Sequence, residues 1–254
     1  PQVIAGQGTI GLEILDQLAD VDVVLVPVGG GGVISGVAHA IKKLRPGCKV
    51  YGVQAAGAPS MEESLKSHEA ITLDAVSTFA DGIAVKHPGD VTFDLVSRYV
   101  DGVVTVTDDE TACAILALME KQKLVTEGAG AVAVAAAMFG KVDLKGKKAV
   151  CLLSGGNIDV NILSRVITRG LTIAGRNSTL TLQLEDKPGQ LKDVSEIISR
   201  NGGNVVRVHY NQADPNLAIT SCYLTVSMET RDHEQVEEIR RDLTRSGFQV
   251  VSHS

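Results

Sequence analysis

Four consecutive glycines, Gly29-Gly30-Gly31-Gly32, follow the valine-rich run Val21 to Val28 and precede a helix-like segment that ends near Leu44. A turn of this kind between a buried strand and a helix carries no side chains. Its backbone N–H groups can wrap a phosphate, and the helix dipole adds a favourable field. A merely tight turn would also use glycine. No Gly-Lys-Ser/Thr follows, so the turn is not a Walker A loop. The next strand, Lys49 to Gln54, ends on an amide rather than the carboxylate that would hold a ribose diol. The phosphate is therefore expected to belong to something other than a dinucleotide. A second turn, Ser154-Gly155-Gly156-Asn157, ends the strand Lys148 to Leu153 and is expected to open another helix. The Ser154 hydroxyl can donate one hydrogen bond or accept two, and it is equally suited to capping that helix.

The elements around these turns place both at one sheet edge. Over residues 1 to about 172, the apolar runs Val21 to Val28, Lys49 to Gln54, Val103 to Thr107 and Lys148 to Leu153 alternate with helical stretches. That alternation is the mark of a parallel α/β sheet, whose ligands sit at the carboxyl ends of its strands. Asp108 or Asp109 is expected to cap a helix running through Lys121, and Gly128 to Met138 reads as an Ala-rich, buried helix. The opening residues Pro1 to Ala5 read as the middle of a strand. After Gly175 the texture changes. Leu180, Leu182 and Leu184 alternate with polar residues, which predicts a strand with one wet face. The turn Asp186-Lys187-Pro188-Gly189 leads into a helix from Gln190 to Asn201. Strands over Val205 to Tyr210 and Ala218 to Met228, a helix over Arg231 to Ser246 and a strand over Phe248 to Val251 complete a βαββαβ, ferredoxin-like order.

Composition narrows the function. The 254 residues are 44% hydrophobic and 21% charged, which excludes disorder as the main state. The net charge of −6 and the lack of tryptophan speak against nucleic-acid binding. The longest apolar run, about Ala129 to Phe139, is too short to span a membrane, and the first residues carry no basic region of a signal peptide. Cys48, Cys113, Cys151 and Cys222 show no CxxC spacing, so a reducing, cytoplasmic setting is expected. The six histidines, His39, His68, His87, His209, His233 and His253, form no metal-spaced pair.

Four stretches add up to a resemblance: Gly6-Gln7-Gly8-Thr9-Ile10-Gly11-Leu12-Glu13, Val26 through Gly36, Ala80-Asp81-Gly82-Ile83-Ala84-Val85, and Leu153-Ser154-Gly155-Gly156-Asn157. Together they resemble the C-terminal portion of the threonine dehydratase (threonine ammonia-lyase) family. These are pyridoxal 5'-phosphate enzymes of fold type II, the tryptophan-synthase-β-like fold, related to serine racemase and serine dehydratase. The small βαββαβ region resembles an ACT regulatory domain. The resemblance divides the chain into 1–172, part of a catalytic region, and 173–254, the ACT domain. It implies that Gly29, Gly30, Gly31, Gly32 and Val33 hold the cofactor phosphate and that Ser154 meets the pyridine nitrogen. Glu127 falls where the family has an active-site carboxylate, although a helix N-terminus alone would favour a Glu there. Asp81 and Gly82 match a pocket-lining loop. In the small domain Asp186, Gly189 and Asn204 match positions that meet an amino-acid effector, expected to be isoleucine or valine, usually where two such domains pack together. The reaction implied is β-elimination from L-threonine to 2-oxobutanoate and ammonia, or from L-serine to pyruvate, in a homo-oligomer.

Two departures qualify this. The family's Schiff-base lysine lies in a Ser-Phe-Lys type motif ahead of the glycines, and no such motif occurs here. These residues alone are therefore expected to be inactive, with the lysine on a missing N-terminal part. Relatives that bind a divalent cation use carboxylates where this chain has Gln54 and Ser60, so no metal is expected there. The rival reading is a non-catalytic amino-acid sensor built on a remnant of the fold. Serine racemisation is a third.

Overall fold

The computed structural model describes residues 1–214 and 217–251; His253 lies outside them. The chain divides into two compact units, Pro1–Ile167 and Thr168–Ser254.

The first unit is built on four parallel strands, β1 (Val23–Pro27), β2 (Lys49–Ala55), β3 (Gly102–Val106) and β4 (Ala149–Cys151), in the order β3-β2-β1-β4. The helices are α1 (Gln2–Gln17), α2 (Gly32–Leu44), α3 (Ser60–Ser67), α4 (Asp90–Tyr99), α5 (Asp108–Ala117) and α6 (Gly128–Met138), with α7 (Val160–Ile173) leading into the second unit. Every residue of β1 is buried, as a parallel strand covered on both faces requires. Alternate side chains serve opposite cores. Leu25 packs with Val53, Val106 and the alanines of α6, whereas Val24 and Val26 pack with Ile34, Val37 and Ile41 of α2. The order β3-β2-β1-β4 means that the sheet grows one way through β2 and β3 and the other way to β4. The reversal lies between β1 and β4, and both strands end on the glycine-bearing turns.

Three local expectations are corrected. The opening residues are not a strand but the start of α1. Val3 and Ile4 carry the local preference for strand, but glycines on α1 and α2 override it by letting the two helices touch backbone to backbone. A Cβ on Gly36 would lie 2.3 Å from the Ile4 oxygen, and one on Gly11 2.9 Å from the Val37 oxygen. The cap of α5 is Thr107, in a reciprocal capping box with Glu110, and not Asp108 or Asp109. That helix ends at Ala117 and passes through a π-helical turn, Leu118–Gln122, to Lys123 at φ 59°. Ser154 caps nothing, because α7 starts only at Val160. There the Asp159 carboxylate accepts the N–H groups of Asn161 and Ile162.

The amino-terminal edge of the sheet is tied by one carboxylate. Asp101 Oδ2 accepts Lys42 Nζ at 2.6 Å and Val50 N–H at 2.8 Å, and Oδ1 accepts Lys49 Nζ at 2.8 Å. Burial opposes its charge, but the hydrogen bonds from Lys42, Lys49 and Val50 outweigh it and hold the carboxyl below the ordinary range. The stability this contributes is complete above the unfolded value near 3.8 and disappears as pH falls through the lower folded value. Asp101→Asn is expected to cost about 2 kcal/mol at pH 7. It should also flatten the acid limb of a pH series of urea melts below about pH 3.8.

The second unit is a four-stranded antiparallel sheet, β5 (Asn177–Glu185), β6 (Asn204–Asn211), β7 (Ser221–Glu229) and β8 (Gln249–Val251), in the order β6-β7-β5-β8. Two helices, α8 (Gln190–Arg200) and α9 (His233–Arg245), complete a βαββαβ order. Leu180, Leu182 and Leu184 meet Leu224, Val226 and Met228 from β7, and Val194, Ile197, Ile198, Ile239 and Leu243 from the helices close this core. Gly189 takes φ 98° at the N-terminus of α8, a left-handed conformation that favours glycine. Among the described residues no helix is long and apolar enough to cross a membrane.

Candidate functional site

The reversal point of the parallel sheet holds a cavity of ≈ 220 Å³ lined by Pro27, Gly29–Val33, Gly82, Ile83, Glu127, Ala129 and Ser154, with Val3 and Gln7 from α1. Thus all the expected phosphate-binding residues, Ser154 and Glu127 converge on one space. A larger cavity of ≈ 420 Å³, lined by residues such as Ile4, Leu12, Val91 and Leu95, is almost wholly apolar and has no anion-binding turn. Of these two, the smaller cavity brings the glycine turn, a carboxylate and a hydroxyl together.

The glycine turn is open where a phosphate would sit and tight everywhere else. A Cβ on Gly30 or Gly32 would meet nothing within 4 Å. A Cβ on Gly29 would press on Ile83 Cα at 3.1 Å, and one on Gly31 on Met61 Cε at 2.7 Å and Thr92 Cβ at 2.9 Å. Gly31 is the N-cap of α2 at φ 90°, ψ 0°. No side chain caps this helix, and its first turn carries no acidic residue. The N-terminal amides of a 13-residue helix are therefore left for an outside acceptor.

The opposite wall comes from α6 and the loop after β4. Glu127 is the N-cap of α6, but its carboxylate caps no amide there. Its side chain lies along the loop instead, so that a Cβ on Gly155 would be 2.3 Å from Glu127 Oε1. Thr126, 3% exposed, donates its hydroxyl to the Gly155 oxygen at 2.8 Å and fixes that loop. The Ser154 hydroxyl has no partner among the described residues and faces the cavity. Asp81 bends back on its own turn, its carboxylate accepting Gly82 N–H at 2.9 Å, while Gly82 itself reaches the cavity.

Sequence reasoning missed several contributors. Val3 and Gln7 are spaced i, i+4 on α1 and share a face. That signal was hidden once the opening residues were read as strand. Thr126 and Thr92 act on the loops from behind, by hydrogen bonds to backbone oxygens that no motif records.

In the second unit, the three expected effector residues do not meet within one chain. Asp186 follows Glu185, which pairs with Ser221, whereas Asn204 pairs with Glu229, itself opposite Asn177. The two ends of β5 are about 27 Å apart at ~3.4 Å per residue. The side chains of Asp186 and Asn204 are also engaged locally. Asp186 accepts Gln212 Nε2 at 2.6 Å, and Asn204 Nδ2 donates to Glu229 at 2.9 Å. A polar cavity of ≈ 480 Å³ beside Lys187, Gln190, Asp193 and Phe248 includes none of the three.

Among the described residues no cluster of three His, Cys, Asp or Glu side chains is suited to a metal. Gln54 is fully buried, and its Oε1 accepts the N–H groups of Met61 and Glu62 at 3.1 and 2.9 Å. His39 stacks edge-on against Tyr99, with ring centroids 4.8 Å apart.

The family model for pyridoxal-phosphate dependent enzymes matches residues 1–155. The L-threonine ammonia-lyase of Thermotoga maritima is 50% identical over 250 residues, covering 98% of this chain and 62% of that protein. The catabolic L-threonine dehydratase TdcB of Escherichia coli is 48% identical over 168 residues, 65% of this chain and 51% of the relative. Among solved structures, the processed form of threonine deaminase isoform 2 from Solanum lycopersicum superposes with a TM-score of 0.62 at 40% identity, over 65% of this chain and 46% of that one. Maize serine racemase superposes at 0.59 and 34% identity, over 65% of this chain and 54% of that one. The chain spans no more than 62% of the length of these relatives.

Proposed function

The chain belongs to the family of pyridoxal-phosphate dependent enzymes, and from that premise we propose that its first unit is the cofactor-phosphate half of an ammonia-lyase acting on L-threonine, with L-serine the runner-up substrate. The observation that carries the reading is the uncapped glycine turn at the sheet reversal, open at Gly30 and Gly32 and facing Ser154. These residues suit the cofactor: a helix N-terminus for the phosphate and a neutral hydroxyl for a ring nitrogen. When bound, the cofactor supplies an electron sink that acidifies the α-hydrogen of an amino acid joined to it.

The rest is work for this chain. The N–H groups of Gly29–Gly32 and Val33 would hold the phosphate, with no cationic side chain among the residues that line the cavity. Ser154 would offer the ring nitrogen a neutral hydroxyl partner, a setting that suits β-elimination over transamination. Glu127 places its carboxylate on the wall of the same cavity as Ser154. Gly82 and Ile83 form part of the cavity wall beside the glycine turn. The Schiff-base lysine comes from sequence outside these 254 residues. The names of the relatives, threonine ammonia-lyase and threonine deaminase, support threonine over serine.

For the second unit we propose an ACT-type regulatory role in a homo-oligomer. Because Asp186 and Gly189 stand at one end of the sheet and Asn204 at the other, an amino-acid effector would be shared between two copies.

The reading is tested by incubating L-threonine and pyridoxal phosphate with the full-length protein that contains this chain, and separately with the 254 residues alone. The full-length protein is expected to release 2-oxobutanoate and ammonia, faster from L-threonine than from L-serine, and the 254 residues to release none. A full-length protein that binds the cofactor yet only interconverts L- and D-serine would replace lyase by racemase.

A further inference from the structure

We propose that Thr92 is the positioning residue of the phosphate cradle, turning the Gly30–Gly31 peptide so that the Gly31 N–H faces the anion. The proposal rests on the cofactor reading above and adds a residue to it.

Thr92 Oγ1 lies 2.5 Å from the Gly30 oxygen and 2.8 Å from the Gly89 oxygen. The hydroxyl has one proton, and Gly30 is its nearer acceptor. Gly89 N–H approaches the same Gly30 oxygen at 3.4 Å. Two donors from the start of α4 thus hold that carbonyl on the outer side of the turn. A trans peptide is planar, so its N–H points opposite to its C=O. Pulling the Gly30 oxygen outward therefore drives the Gly31 N–H inward.

Two independent observations agree. Gly31 is buried, yet its N–H finds no acceptor among the described residues. A buried amide without a partner is costly and rare, and here it stands where an anion would complete it. In addition, Thr92 and Met61 crowd the outer side of Gly31 but do not line the cavity, which puts the clamp and the ligand on opposite sides of the peptide. Thr92 is itself anchored, since the buried Ser35 hydroxyl of α2 reaches its oxygen at 3.4 Å.

The test is an inorganic phosphate titration of the whole 254-residue chain, followed by amide NMR, in the wild type, Thr92→Val, Thr92→Ala and Thr92→Ser. Valine keeps the shape and removes the hydroxyl, alanine removes both, and serine restores the donor. Valine and alanine are expected to bind phosphate at least tenfold more weakly and to lose the phosphate-dependent shift of the Gly31 amide. Serine is expected to stay within twofold of the wild type. Unchanged binding by Thr92→Val, or equal losses in Thr92→Val and Thr92→Ser, would overturn the clamp while leaving the cradle. Absence of any phosphate-dependent shift at Gly29–Val33 in the wild type would remove the cofactor reading, and the clamp with it.

Discussion

Gly32→Asp is expected to weaken pyridoxal phosphate binding at least a hundredfold while leaving the melting temperature unchanged or slightly raised. The two halves of this expectation have separate causes. A Cβ on Gly32 meets nothing within 4 Å, so the larger residue enters open space and disturbs no packing. Gly32 is the first residue of α2, where a carboxylate is favoured by the helix dipole by about 0.3–1 kcal/mol. The open space, however, is the place assigned to the phosphate. The new carboxylate would take up the N–H groups meant for the ligand and repel its charge. Two like charges about 4 Å apart near a protein surface repel by roughly 4 kcal/mol, and a hundredfold loss needs only about 2.8 kcal/mol. Equilibrium dialysis against the cofactor and a thermal melt of the same sample separate the effects. Retained binding would place the phosphate elsewhere. A collapsed melt would mean that Gly32 is held by packing that the structure does not contain.

Gly36→Ala should do the reverse, unfolding first and losing binding as a consequence. Its Cβ would fall 2.3 Å from the Ile4 oxygen, 2.6 Å from the Gly8 nitrogen and 2.9 Å from the Gln7 carbonyl carbon. All three are backbone atoms, so no side chain can swing aside and α1 must move away from α2. Overpacking of this kind costs about 1–3 kcal/mol, and separating the two helices adds to it; about 3–4 kcal/mol is expected. For a chain of this size that lowers the melting temperature by roughly 6–16 °C. Because α1 also carries Val3 and Gln7 to the cavity, cofactor affinity should fall in the residual folded protein. Gly30→Ala, whose Cβ meets nothing within 4 Å, is the control for stability.

What could be read before folding depended on whether a residue acts through its own backbone. Gly29–Gly32 are singled out by type and position alone, since a turn without side chains between a strand and a helix is what the proposed phosphate cradle requires. The alternating strands of both units were legible for a similar reason, because burial on one or two faces is written into the period of the apolar residues. Ser154 was placed at the right edge, and of its two readings the helix cap is not realised: five residues lie between it and α7, and Asp159 takes the cap. The opening of α1 misled because Val3 and Ile4 favour strand locally, whereas the deciding contact is with Gly36, more than thirty residues away. Thr92 was invisible for the same reason. It lies sixty-two residues from the oxygen it holds, and a threonine in the first turn of a helix has an ordinary structural explanation. Asn204 shows another limit. Resemblance alone singled it out with the Asp186 turn, and the antiparallel pairing sets the two at opposite ends of the sheet, a separation that no local sequence pattern records.

The central claim is that the turn after β1 is a phosphate cradle at the reversal of the parallel sheet. It is tested most directly by titrating the amide-labelled chain with pyridoxal phosphate and mapping the residues that respond. The expected result is saturable, one-site shifts greatest at the amides of Gly29–Val33, with smaller ones at Gly82, Glu127 and Ser154. Shifts confined to the polar cavity beside Lys187 and Phe248, or no saturable response at Gly29–Val33, would contradict it.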